Sequence, residues 1–253
     1  IRAILEAVEA GQPVVLATVV STSRSVPRHA GSKMLVFADG TTRGTIGGGE
    51  MEARVVRESL DCLRESTPRL IDYQLVDPAQ GDPGICGGEV RLYLEPHMPT
   101  PTILVIGCGH VGRAVIDLAH WMGMRVIAYD DRPEQVDPGT LPNADVVLSG
   151  DLARALAEHP PTSETHVVMV TRNMPLDLQL LPVVLGTKAR SIGVMGSKRR
   201  WDTTRQKLVE MGIDEASIQR VHSPIGVELH AETPEEIAVS ILAEVAGLRR
   251  GAL

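Results

Sequence analysis

The sequence predicts an α/β protein in two parts: a small α+β domain over residues 1–96 and a doubly wound parallel-sheet domain over residues 97–253. Three observations carry that expectation. The run Pro96-His97-Met98-Pro99-Thr100-Pro101 sets three prolines in six residues, which stops helix and sheet ladder alike. Beyond this boundary, short apolar runs alternate with helical patterns, the rhythm of parallel strands joined by crossover helices. Before it, several strand patterns surround one long helix pattern, with no such alternation.

In the first part, Ile4, Leu5 and Val8 have helical spacing and Gly11 ends the helix. Residues 14–20 form a nearly continuous run rich in β-branched side chains, which predicts a buried strand. Residues 33–37 read as a strand, Asp39-Gly40 as a type I′ turn, and the chain from Thr41 as the hairpin partner. Gly47-Gly48-Gly49 opens a helix over residues 50–65, with Met51, Val55, Leu60 and Leu63 facing inward. Strands over residues 69–76 and 89–94 flank a glycine-rich loop.

In the second part, residues 102–106 predict a strand, 111–122 a helix and 125–129 a strand. Apolar strands over 145–148 and 166–170 each precede a helix. Residues 191–195 give another strand, followed by a helix from about 198 to 211. The final helix carries explicit start signals: Thr233 caps it, Pro234 takes its first position and Glu236 completes a capping box. It runs to about residue 248.

Bulk properties narrow the function. Among 253 residues there are one Phe, two Trp and three Tyr, and the net charge is −7. Few stacking platforms and an acidic balance argue against nucleic acid as a partner. No apolar stretch approaches the ~20 residues of a membrane span. No signal-peptide pattern is visible, although the chain opens at Ile1 rather than Met, which leaves room for a preceding piece. Three widely spaced cysteines give no disulfide framework, so a reducing cytoplasm is the expected location. The eight histidines show no zinc spacing.

Cys86 is the most informative residue. It lies in Gly81-Asp82-Pro83-Gly84-Ile85-Cys86-Gly87-Gly88, a composition that forbids regular structure and leaves the thiol unshielded. It is either a reactive thiol or a buried, inert one. A second glycine loop, Gly107-Cys108-Gly109-His110-Val111-Gly112, follows a predicted strand and opens a helix, the context of a dinucleotide-binding turn. Asp130 ends the next strand at the spacing of a ribose-binding acid, while Arg132 suits a phosphorylated ribose. His110 faces a ligand phosphate or caps the helix, and Cys108 faces the ligand or packs. Cys62 belongs to the core. Gly196-Ser197-Lys198-Arg199-Arg200 places three cations at a helix start, against the helix dipole. Either a bound phosphate reverses that sign or the run is a solvated basic face. Gly48 and Gly49 permit a close approach. Glu50 and Glu52 are acid, base or metal-sphere groups, or complements to the helix dipole. Arg28, at the turn after Pro27, holds an anion or is a plain surface residue.

Together these pieces resemble the XdhC/CoxI family, the accessory proteins of xanthine dehydrogenase and related molybdenum hydroxylases. The resemblance covers nearly the whole chain. It runs through Ala17-Thr18-Val19-Val20, Pro27-Arg28, Gly31-Ser32-Lys33-Met34, Gly47-Gly48-Gly49 with Glu52, and the Cys86-Gly87-Gly88 loop. It continues through the Gly107 loop, Asp130-Asp131-Arg132-Pro133, Gly196-Ser197-Lys198-Arg199 and Pro224-Ile225-Gly226, and ends in Ala231-Glu232-Thr233-Pro234-Glu235-Glu236-Ile237-Ala238. The chain departs from the family pattern at Ser23-Arg24-Ser25-Val26, at Glu50 where many members have Cys, and at Asn173-Met174-Pro175 where many have His.

The resemblance implies an XdhC/CoxI-type N-terminal domain over 1–96 and a Rossmann-like domain over 97–253. It implies a non-catalytic chaperone that binds molybdenum cofactor, protects it during sulfuration by a cysteine desulfurase and inserts it into an apo molybdenum hydroxylase of the xanthine dehydrogenase type. The cofactor is molybdopterin, with or without its dinucleotide extension. The implied binding residues are Cys86 (also as a molybdenum contact), Gly107, Gly109, His110, Gly112, Asp130, Arg132, Gly48, Gly49, Glu52, Arg28, Ser197, Lys198 and Arg199. A homodimer is compatible with the sequence. The alternative from the residues alone is an NAD(P)-dependent oxidoreductase using the glycine loop.

Overall fold

A computed structural model describes residues 1–24, 26–74, 88–137 and 139–252. Cys86 and most of its loop lie outside the described residues. The chain divides into two compact units, Ile1–Pro99 and Thr100–Leu253.

The first unit contains α1 (Arg2–Glu9), β1 (Val14–Ser23), β2 (Lys33–Phe37), β3 (Thr42–Gly44), α2 (Gly49–Glu65), β4 (Arg69–Gln74) and β5 (Glu89–His97). Its strands form an antiparallel sheet in the order β3-β2-β1-β5-β4. Alternation along β1 sends Val15, Ala17 and Val19 to a core shared with α2, while Val14 and Leu16 meet α1 through Ala7.

Three details differ from the sequence expectation. Helix α2 buries Met51, Val55, Ser59, Cys62 and Leu63, with Leu60 only half-buried. At 3.6 residues per turn, position 59 follows 51 and 55 on one face, and position 60 is rotated away. The hairpin is not type I′, which needs positive φ at both central residues. Gly40 has φ 80° and Asp39 does not. Gly40 N–H donates to the Phe37 carbonyl, and Asp39 Oδ1 accepts from Thr41 N–H and Oγ1–H, so the loop holds three residues. Strand β5 also runs on through Pro96, paired with Val15 of β1. Its other neighbour, β4, begins opposite Leu94, so at Pro96 that side has no ladder for a missing N–H to break.

The second unit contains β6 (Thr102–Ile106), α3 (His110–Trp121), β7 (Arg125–Asp130), β8 (Val146–Ser149), α4 (Leu152–Glu158), β9 (Thr165–Met169), α5 (Met174–Leu185), β10 (Ser191–Val194), α6 (Lys198–Glu210), α7 (Glu215–Gln219), β11 (Val221–His222) and α8 (Pro234–Arg250). The six strands are parallel in the order β11-β10-β9-β6-β7-β8. Strands β6 and β9 are buried along their whole length, as central parallel strands covered on both faces must be. Residues of α3 and α8 cover one face, and those of α4 to α7 the other. This is the order of a Rossmann sheet, with its switch point between β6 and β9, where ligands enter at the strands' carboxyl ends. The capping box of α8 is formed as expected. Helix α7 and strand β11 had no counterpart in the sequence expectation, being too short to show a period.

Candidate functional site

A cavity of about 290 Å³ opens at that switch point. Gly107, Gly109, His110, Gly112, Asp130 and Arg132 line it together with Asp131, Thr171, Arg172 and Arg200.

The three glycines do different work. A Cβ on Gly107 would lie 2.8 Å from the Val170 carbonyl oxygen, so the turn is pressed against the end of β9. One on Gly112 would lie 1.8 Å from the Gly107 carbonyl oxygen, so only glycine lets α3 start this close to β6. A Cβ on Gly109 would meet nothing within 4 Å. Space above Gly109 is open, as a pyrophosphate over that turn requires. Gly109 is also the N-cap of α3 and supplies no side-chain cap. The first N–H groups of the helix therefore face the cavity mouth with the positive end of the dipole. His110 is exposed, lines the cavity and caps nothing. Cys108 is fully buried; burial first, then the Asp130 charge, push its thiol up to about 12. It packs rather than facing a ligand.

Asp130 is the least expected part of the site. Its carboxylate accepts four hydrogen bonds: Oδ2 from Cys108 N–H (2.7 Å) and an Arg132 Nη2 hydrogen (3.1 Å), Oδ1 from Arg132 N–H (3.0 Å) and Nε–H (2.9 Å). Two oxygens hold about four acceptor positions, so none remains for a ribose diol. The acid that would bind a nicotinamide dinucleotide is occupied by the protein's own arginine.

Two more arginine–aspartate pairs complete the ring. Arg200 donates through Nε (3.0 Å) and Nη2 to Asp177, which also accepts from the Thr171 hydroxyl. Arg172 donates through Nη1 and Nη2 to Asp131 Oδ1 and Oδ2, at 2.6 and 2.7 Å. The bonds from Arg172 hold the Asp131 carboxyl below its ordinary value, against the opposing effect of partial burial. Asp131, Thr171, Arg172 and Asp177 were missed by sequence reasoning. The available signal was position: Asp131 follows β7, and Thr171 and Arg172 follow closely on β9, all at the carboxyl edge beside the switch point.

Ser197 caps α6 by accepting from Arg200 N–H, while Lys198 and Arg199 are exposed, make no side-chain bonds among the described residues and do not line the cavity. Of the basic run only Arg200 reaches it.

The remaining described site residues lie in the first unit. Gly47, Gly48 and Gly49 all have positive φ, and a Cβ on Gly48 or Gly49 would meet nothing within 4 Å. Glu52 Oε1 accepts from Thr45 Oγ1–H (2.6 Å), Ile46 N–H (3.0 Å) and Gly48 N–H (2.9 Å). Burial alone would raise its pKa, but the donors of Thr45, Ile46, Gly48 and Gly47 outweigh it and hold the group low. Glu52 is thus an ionised clamp that shapes the glycine loop. Glu50 pairs with Arg57 at 3.0 Å. Arg28 is exposed, and no side-chain partner is found for it among the described residues. Among the described residues no group of three or more His, Cys, Asp or Glu is placed to hold a metal ion, and no helix is long and apolar enough to cross a membrane.

Comparison with known proteins agrees with this anatomy. The family described as the XdhC Rossmann domain matches residues 103–245, and the XdhC and CoxI family matches residues 7–74. The uncharacterized protein YqeB of Escherichia coli is 33% identical over 95% of this chain, which spans only 44% of that protein. The molybdenum cofactor insertion chaperone PaoD of Escherichia coli is 25% identical over 98% of this chain and 87% of its own length. Among solved structures, a xanthine dehydrogenase from Bacillus halodurans superposes with a TM-score of 0.53 at 21% identity, covering 100% of this chain and 96% of that one. That likeness supports the fold.

Proposed function

Because the chain belongs to the XdhC and CoxI family, we propose that it is a maturation factor that binds molybdenum cofactor and inserts it into a xanthine dehydrogenase-type hydroxylase. One observation favours this reading over a nicotinamide oxidoreductase. The switch-point cavity keeps an open glycine turn and an uncapped helix end for phosphate, yet its ribose acid, Asp130, is saturated by Cys108 and Arg132. A phosphate-bearing pterin needs the first two features and not the third. The name of PaoD, similar over nearly the whole chain, points the same way.

In the proposed arrangement Gly107 and Gly112 fix the turn, and Gly109 and the first amides of α3 take phosphate. His110 borders the phosphate, and Arg132 holds Asp130 out of the way. Cys86 contacts molybdenum or guards its terminal sulfur while a cysteine desulfurase acts, since thiolate is a soft ligand. The glycine loop held by Glu52, together with Arg28, offers a further approach for the cargo, and Ser197, Lys198 and Arg199 supply outer positive charge. The dinucleotide form is taken to use the same turn.

The test is anaerobic. Protein is mixed with mature molybdenum cofactor, desalted, and assayed for pterin and molybdenum. Near-stoichiometric retention is expected, with loss of molybdenum when Cys86 is replaced by Ser. Retention that ignores Cys86 removes the sulfur from the mechanism. No retention, with tight NADH binding in its place, overturns the chaperone reading.

A further inference from the structure

Three arginines line the cavity, each balanced by an aspartate. The three pairs are not equivalent. The Asp130 and Asp177 side chains are each 1% exposed. Withdrawing Arg132 or Arg200 from either would strand a buried charge, which is strongly destabilising. Asp131 is 28% exposed and Arg172 is 43% exposed. If Arg172 leaves, Asp131 stays hydrated, and an exposed pair of this kind contributes little. Arg172 is therefore the cavity arginine that can change partner.

Topology adds the second half of the argument. Asp131 follows β7 and Arg172 closely follows β9, and β6 lies between those two strands. The ion pair must span the carboxyl end of β6, where the Gly107 turn begins. Both partners line the cavity that Gly109 also lines.

We propose that Arg172 is the phosphate-recognising arginine of this cavity, and that Asp131 is its stand-in counter-ion, released when a phosphate or pyrophosphate group settles over the glycine turn. The bidentate geometry that Arg172 presents to the carboxylate is the geometry it would present to two phosphate oxygens. Asp131 thus pairs with the arginine in the free protein and competes weakly with an incoming phosphate. This rests on reading the cavity as a phosphate site.

The test is a double-mutant cycle on the full chain, with inorganic pyrophosphate as probe and calorimetry at low salt as readout. Asp131→Asn, which removes the competing charge, should tighten binding about 5-fold, the scale of one exposed ion pair. Arg172→Gln should weaken it about 10-fold or more, and the double variant should be no tighter than Arg172→Gln alone. Circular dichroism and melting check that all three remain folded. An unchanged or weaker Asp131→Asn, a double variant as tight as Asp131→Asn, or no pyrophosphate binding in any variant overturns the inference. The cofactor-retention assay separates the two readings. Retention untouched by Arg172→Gln rejects the arginine and keeps the chaperone. A pyrophosphate cycle as expected, with no cofactor retained, keeps the arginine and rejects the chaperone.

Discussion

Gly109 and Gly112 are three residues apart in one motif, yet an added methyl should act on them in opposite ways. Gly109→Ala meets no atom within 4 Å and has φ −71°, so the variant should fold and melt within about 2 °C of the parent while weakening the proposed phosphate contact. Gly112→Ala drives a Cβ to 1.8 Å from the Gly107 oxygen, so it should lower unfolding stability by about 3 kcal/mol or more, read by urea titration. Thiols give a second residue-scale test. Cys62 and Cys108 are both fully buried with thiols pushed up by burial, so native protein at pH 8 should leave both unlabelled by iodoacetamide until unfolded, read by peptide mass mapping. Gly107, Gly109, Gly112 and Asp130 were legible in the sequence because a glycine turn between strand and helix is encoded within a few neighbouring residues. The occupation of Asp130 by Arg132 was not, since both residue types suit a cofactor's ribose equally well. Nor were the partners of Arg172 and Arg200, because strand order, not chain proximity, brings Asp131 and Asp177 to them.

Among the elements, those with an apolar pattern were legible, the short α1, β8 and β10 included, whereas α7 and β11 were not. Apolar patterning and glycine turns located α2 and α3, and capping chemistry fixed where α8 begins. Thr233→Ala should cost about 1 kcal/mol, because it removes the acceptor for Glu236 N–H and half of the capping box. Strand β9 carries a pH-dependent element. His166 Nδ1 lies 2.7 Å from Ser191 Oγ of neighbouring β10, and its Nε2 is buried with no hydrogen-bond partner among the described residues. Burial, then Arg190 and Arg249, lower its pKa from 6.5 to about 4. Between those values the unfolded chain binds the proton and the folded chain does not, so stability is full above 6.5 and falls as the pH drops toward 4. The loss should reach up to about 3 kcal/mol and be largely absent in His166→Gln, measured by chemical denaturation across that range. The sequence could not mark this histidine, since an apolar strand tolerates an imidazole only when a neighbour such as Ser191 is brought beside it.

At the scale of the whole molecule, the two-part organisation follows from composition and rhythm, whereas the extension of β5 through Pro96 depends on where β4 starts. Each unit has cores of its own. A piece comprising residues 100–253 should therefore unfold cooperatively by itself, with helical circular dichroism; a melt without a transition would show that the first unit is needed to fold it. The saturated aspartate has a consequence beyond the cavity. An ordinary glycine turn of this type grips a nicotinamide dinucleotide through a free ribose-binding acid. By satisfying Asp130 internally, the fold withdraws the hydroxyl bonds such ligands draw on, and under the proposed function this is what tells the cargo apart from a common dinucleotide.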